Sequence, residues 1–272
     1  MRSFRIIRDG IEFIRHLLNN RYLIYELTKR DFRQKYVSNV LGLAWSVLDP
    51  LALMLIFWLI FGLGFKGGSR MEIPYVTYLI TGLAAYLFFQ TTLIQATASI
   101  AEYHFLVSKV KFRVSILPLV KILSELTLHV IVVGVAVVIL LLNGIYPRWS
   151  WFQLLYYIAA TMMLLLGLSW FSSAVRLFFP DIQNIIQIFL RFFFYLTPIF
   201  WTADIMPEKY LMILKLNPMY YIVVGYRDSL IFGKPFWERP ELTVYFWALT
   251  LVCLFIGIRV FSRLKPHFAD VV

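Results

Sequence analysis

Ionisable residues inside apolar runs are the first place to look for chemistry in this sequence. Lys121, Glu125 and His129 step by four, so they share one face of a helix. Lys121 and Glu125 can pair and lessen the cost of burial. The stripe then either faces a cavity or subunit interface, or merely solvates the start of a helix. His129 lies deeper, where an ionisable group points towards function. Arg191 sits one to two turns into another run, from which its long side chain can reach headgroups. Enzyme signatures are missing. The glycine-rich piece Gly62-Leu-Gly-Phe-Lys-Gly-Gly-Ser lacks the Gly-Lys-Ser/Thr ending of a phosphate-cradling loop. The four histidines form no His-x-x-x-His pair and have no cysteine companions for a metal. There is no Gly-x-Ser-x-Gly elbow, and the aspartates stand singly. The lone Cys253 excludes an intrachain disulfide.

The elements that hold these residues follow from composition. Of 272 residues, 61% are hydrophobic and 15% charged, against about 25% charged in soluble domains. No soluble core of this size hides so much apolar surface; a bilayer does. Six stretches are long and apolar enough to cross: about 41–64, 74–98, 116–142, 151–175, 185–201 and 242–261. The net charge of +11 comes from basic residues at the ends of these runs, the membrane pattern, which excludes nucleic acid as a partner. With six spans, eighteen of the 26 Lys and Arg fall on one side. That side is predicted to be cytoplasmic and to hold both termini. No cleavable signal peptide is expected from Met1–Arg21, where charge interrupts every apolar run. The segment Tyr210–Phe232 is apolar but broken by Lys215, Pro218, Arg227 and Asp228. Two short helices that enter the outer leaflet and return fit it better than a seventh span. Phe4, Ile7, Ile11 and Ile14, with Leu18, line one face of a basic amphipathic helix suited to the headgroup region or to a partner protein. The predicted fold is therefore all-α and integral to the membrane: six transmembrane helices, an N-terminal amphipathic interface helix and outer re-entrant helices. Aromatic rings are abundant, and those within spans either stack against a sugar in a conduit or face lipid.

Four segments carry a family resemblance. They are Arg33-Gln-Lys-Tyr-Val-Ser-Asn-Val-Leu-Gly-Leu-Ala-Trp-Ser-Val-Leu-Asp-Pro, Val110-Lys-Phe-Arg-Val-Ser-Ile-Leu-Pro, Phe194-Tyr-Leu-Thr-Pro-Ile-Phe-Trp with Pro207-Glu, and Leu216-Asn-Pro-Met-Tyr-Tyr-Ile-Val-Val-Gly-Tyr-Arg-Asp. In this order they resemble the permease subunit of type-2 ABC exporters of cell-surface polymers, wall teichoic acid or O-antigen polysaccharide. One departure is that Phe112 runs straight into Arg113, where the family commonly has an intervening proline. The resemblance implies a homodimer flanked by two ABC ATPase subunits, in which ATP and Mg bind the partner and this chain holds no cofactor, metal or catalytic residue. It implies that Lys109, Val110, Lys111, Phe112 and Arg113 couple to the ATPase. Arg33 and Lys35 would attract the phosphate of an undecaprenyl-linked polymer, and Tyr86, Phe88, Tyr195, Tyr220 and Tyr221 would line the conduit. Residues 1–35 would form the interface segment, 36–265 the transmembrane domain and 266–272 a cytoplasmic tail, in the bacterial cytoplasmic membrane. The run Leu190–Tyr226 is closer to teichoic acid exporters and Asp31–Pro50 to O-antigen exporters; the first is given the greater weight. The alternative is a membrane transferase acting on lipid-linked glycan, which needs a catalytic acid or metal site.

Overall fold

The computed structural model describes residues 20–36, 42–64, 73–103, 113–203 and 206–268. Among them the chain is helical, with no strand. Helix α1 (Arg21–Tyr36) precedes α2 (Gly42–Phe57), whose winding loosens into a π-helical continuation, Trp58–Gly64. Then come α3 (Tyr75–Glu102), α4 (Leu117–Leu142), α5 (Gln153–Phe178) and α6 (Ile182–Leu196). Two short helices follow, α7 (Glu208–Lys215) and α8 (Pro218–Arg227), and the last is α9 (Pro240–Leu264). The helical stretches built on α3, α4, α5 and α9 are long and apolar enough to cross a bilayer; those of α2 and α6 are apolar but shorter.

Helix α3 is the centre of the bundle, packed by α2, α4, α5, α6 and α8. Its composition explains the position. It carries small and hydroxylated residues that let backbones approach, and such residues drive helix packing where apolar surface gains nothing by leaving lipid. Thr77, Thr81, Thr92, Thr97 and Ser99 are buried with no exposed surface. Thr81 donates back to the Thr77 carbonyl at 3.0 Å, and Thr97 meets Ser172 of α5 at 2.7 Å, so these two hydroxyls are paired within the bundle. By contrast, α4 and α9 are apolar along the faces they leave uncovered, as at Val130, Val138, Val244 and Leu251.

The fifth predicted span is corrected at its end. Instead of running through Pro198 to Trp201, the helix stops at Leu196, and Thr197 takes an extended conformation (ψ 135°). The cause is local: the proline ring disfavours the helical conformation in the residue before it. At fifteen residues α6 spans about 22 Å, short of a hydrocarbon core of about 30 Å. The extended stretch beyond it is tied to the start of α3, where the Tyr75 and Tyr78 hydroxyls donate to the carbonyls of Phe200 (2.8 Å) and Trp201 (3.0 Å).

The segment after α6 doubles back as predicted. Asn217 caps α8 through Met219 N (3.0 Å), with Pro218 in the first turn, and its amide donates to Thr197 Oγ1 (2.8 Å). Tyr221 reaches Thr243 at the start of α9. Within a π-helical turn, Asp228–Phe232, the carbonyls of Ser229 and Leu230 accept from Ser150 (2.7 Å) and Trp151 (3.1 Å) just before α5. All these partners belong to one end of the bundle, the predicted outer end, so the chain enters and leaves on the same side. At the other end α1 lies on the start of α4, where Ile24 packs with Ile116 and Val120.

Candidate functional site

The polar stripe of α4 is assembled with partners from α1, α3 and α8. Lys121 Nζ is 2.7 Å from Asp31 Oδ1 and 2.7 Å from Glu102 Oε2, and Tyr103 donates to Asp31 at 2.9 Å. One turn further, Glu125 is 2% exposed. It pairs with Lys35 and accepts from the Tyr36 hydroxyl at 3.0 and 3.1 Å. One turn beyond that, His129 Nε2 lies 2.9 Å from the Tyr226 hydroxyl, and its ring stacks on Phe88 with centroids 4.3 Å apart. Lys121 and Glu125 thus do not pair with each other, as their spacing had allowed; each is answered by a residue of α1. The pairing lowers the cost of burying these ions, because a buried ion without its partner is strongly destabilising.

A cavity of 310 Å³ runs along this stripe, bounded by Lys35, Asp49, Leu53, Phe88, Glu125 and His129 among others. Its wall is mainly apolar and carries one cation and two carboxylates. Among the described residues no cluster of His, Cys, Asp or Glu can hold a metal ion.

A second polar centre joins α8 to the outer end of α3. Arg227, 3% exposed, donates to the carbonyls of Pro198 (2.6 Å), Ile199 (2.8 Å) and Tyr78 (3.3 Å), and its guanidinium lies 3.4 Å from the centre of the Tyr78 ring. The planar fork matches several carbonyls at once and stacks on an aromatic face, which a lysine does not do. Gly82 leaves the space for it: a Cβ there would stand 2.5 Å from Nη2. Next along the chain, Asp228 pairs with Arg239 at 3.1 Å.

Helix α6 leaves one face uncovered. Asn184, Ile188, Arg191 and Tyr195 are exposed and step by four, three and four residues, with Ile188 66% and Tyr195 62% exposed. Arg191 lies about two and a half turns into the helix, deeper than the sequence had placed it, because α6 begins at Ile182.

A family profile described as ABC-2 type transporter matches residues 22–231. The chain belongs to the ABC-2 type transporter family. It is 30% identical to an O-antigen export system permease protein of Klebsiella pneumoniae, over 92% of this chain and 94% of that one. Identity to the protein of the same name in Myxococcus xanthus is 24%, over 96% and 99%. A polysialic acid transport protein of Escherichia coli is 24% identical, over 85% and 89%.

For an ABC-2 membrane subunit, the positions of the sequence-predicted residues are these. Phe4, Ile7, Ile11 and Ile14, and Lys109, Val110, Lys111 and Phe112, lie outside the described residues. Arg113 is exposed at the end of the bundle that holds α1. Arg33 is exposed on α1, and Lys35 pairs with Glu125. Of the rings assigned to a conduit, Tyr86, Phe88, Tyr220 and Tyr221 are at most 5% exposed and pack between helices of a single chain. Tyr86, for example, donates to the Leu190 carbonyl at 2.5 Å. Of the five, Tyr195 alone is exposed, at 62%, and Phe88 borders the cavity beside His129. Sequence reasoning missed Asp31, Tyr36, Glu102 and Tyr226 as partners of the stripe, and it read Arg227 only as an obstacle to a seventh span. Its one available signal was that three consecutive turns of α4 carried polar residues that needed partners.

Proposed function

We propose that this ABC-2 membrane subunit exports a lipid-linked polysaccharide of the O-antigen type, driven by ATP hydrolysed on a partner. The observation that carries this reading is the near full-length similarity to permeases named for O-antigen export, joined by proteins named for polysialic acid transport. These polymers are polysaccharides, so the balance moves from teichoic acid towards O-antigen-like glycan. The sequence has no phosphate-cradling loop, so the nucleotide belongs to another chain. A homodimer with two ATPase subunits in the bacterial cytoplasmic membrane follows, with both termini in the cytoplasm. The polymer's undecaprenyl phosphate or pyrophosphate would meet Arg33 on α1. The contribution of Lys35 is small in this arrangement, since Glu125 and Asp49 repel an anion beside it. The conduit wall would be the α6 face of Asn184, Ile188, Arg191 and Tyr195, where an aromatic ring and hydrogen-bonding groups alternate as a sugar chain needs. Lys109–Arg113 would seat in the ATPase.

Co-purification tests the reading. In mild detergent the chain should retain a nucleotide-binding partner, hydrolyse no ATP when purified alone, and cause lipid-linked glycan to accumulate on the inner face when its gene is deleted. Val110→Glu with Phe112→Glu should release the ATPase while membrane insertion persists. Sugar transfer by the isolated chain would overturn the reading.

A further inference from the structure

The partners of α4 form a line from one end of the bundle to the other. At one end, Asp31, Lys35 and Tyr36 of α1 hold Lys121 and Glu125. About 6 Å further along the axis, His129 meets Tyr226. The next residue, Arg227, grips the Pro198 and Ile199 carbonyls, and Asp228 opens the π-helical turn that leads out of the bundle. The 310 Å³ cavity touches Lys35, Glu125 and His129 but not the far side of the stripe. These side chains therefore have room to move on one side, whereas close packing would hold them on both.

We propose that this line is a mechanical strut, and that His129 and Tyr226 are positioning residues for transport. Displacement of α1 is passed through Glu125 and α4 to the His129–Tyr226 contact, and from there to the Tyr226–Phe232 segment at the opposite end. The strut rests on the exporter reading, because the force on α1 comes from the ATPase. Spatial continuity alone does not demonstrate coupling, so the test must break the line at one contact and read movement on both sides of the break.

The experiment uses membranes that contain the full chain, with Cys253→Ser, together with its ATPase. Single cysteines replace Tyr22 on α1, 75% exposed, or Phe232 at the far end, 46% exposed. The rate of labelling by a maleimide is measured with and without ATP. In the parent, ATP should change labelling at both positions. Tyr226→Phe keeps the ring and removes the hydroxyl; it should preserve the response at position 22 and reduce that at 232 at least threefold. Glu125→Gln should do the same, and the two combined should be no worse than either alone. His129→Phe breaks the same contact from the other side while keeping a ring on Phe88, and it decides the matter should Tyr226→Phe fail to accumulate. An undiminished response at 232 in these variants, or losses that multiply, overturns the strut while leaving the exporter reading intact. No response to ATP at either position in the parent overturns both.

Discussion

At the scale of single residues, Arg227 carries the largest obligation. It is a buried cation whose partners are carbonyls, so its stability depends on geometry instead of on an opposite charge. Gly82→Ala places a methyl 2.5 Å from Nη2 and must push the guanidinium off Ile199. An unpaired buried polar group costs about 1–3 kcal/mol. We expect Gly82→Ala to lose about 2 kcal/mol and Arg227→Lys at least as much, because an ammonium cannot reach all the carbonyls that a fork does. Thermal unfolding of the purified chain in detergent checks both; an alanine variant as stable as its parent would show that the guanidinium is held elsewhere. The sequence revealed where Arg227 stood but not what it held, since its partners lie 28, 29 and 149 residues away. The same distance hid Lys35 and Tyr36 from Glu125, 90 and 89 residues off. Helical periodicity sees only neighbours three or four apart, and for that reason it offered Lys121 to Glu125.

At the scale of elements, α5 and α9 pack backbone against backbone. A Cβ on Gly257 would lie 2.2 Å from the Gly167 carbonyl oxygen, and one on Gly167 would lie 2.7 Å from the Leu254 nitrogen. The two backbones touch, and in a membrane such close approach supplies the van der Waals contact that holds helices together. Gly257→Val must separate the pair and should cost about 1–3 kcal/mol, the usual range for overpacking. It should appear as faster loss of the folded band on heating in detergent, whereas Gly134→Ala, which meets nothing within 4 Å, should leave unfolding unchanged. A Gly257→Val variant as stable as its parent would mean that the crossing tolerates separation, since helix propensity favours both substitutions over glycine. Element positions were the most legible part of the sequence, because about 20 apolar residues have few alternatives to crossing a bilayer. The misplaced end of α6 had a signal in Thr197-Pro198, but a hydropathy window counts Pro198, Ile199 and Phe200 as apolar and does not see that the backbone has left the helix. The uncovered face of α6 had a partial signal in Asn184 and Arg191, both exposed, but Gln183 turns inward to the Ile94 carbonyl, and that Tyr195 lies out and Phe194 in follows only from the packing of α3 and α5.

At the scale of the whole molecule, the two ends of the described chain meet at one end of the bundle. Asp31 of α1 binds Tyr103 and Lys121, while Phe268, beyond α9, packs in a cluster with Tyr103, Val114 and Trp170. Both groups include Tyr103, so residues 31 and 268 lie beside the same turn, and the number of crossings between them is even. The doubling back of Tyr210–Phe232 is what keeps it even; a seventh crossing would carry Arg259, Arg263 and Lys265 to the far side with the C-terminus. Such an inversion works against the basic residues that fix orientation. From the charge bias we propose that the shared end is cytoplasmic. Tags fused before Met1 and after Val272 should therefore both resist added protease in intact spheroplasts and both be cleaved in inverted vesicles. A cysteine at Trp149, 88% exposed at the opposite end, should react with an impermeant reagent in the intact spheroplasts. Tags that respond oppositely would remove the even count, and with it the placement of α1 and Lys109–Arg113 on the face where an ATPase can reach them.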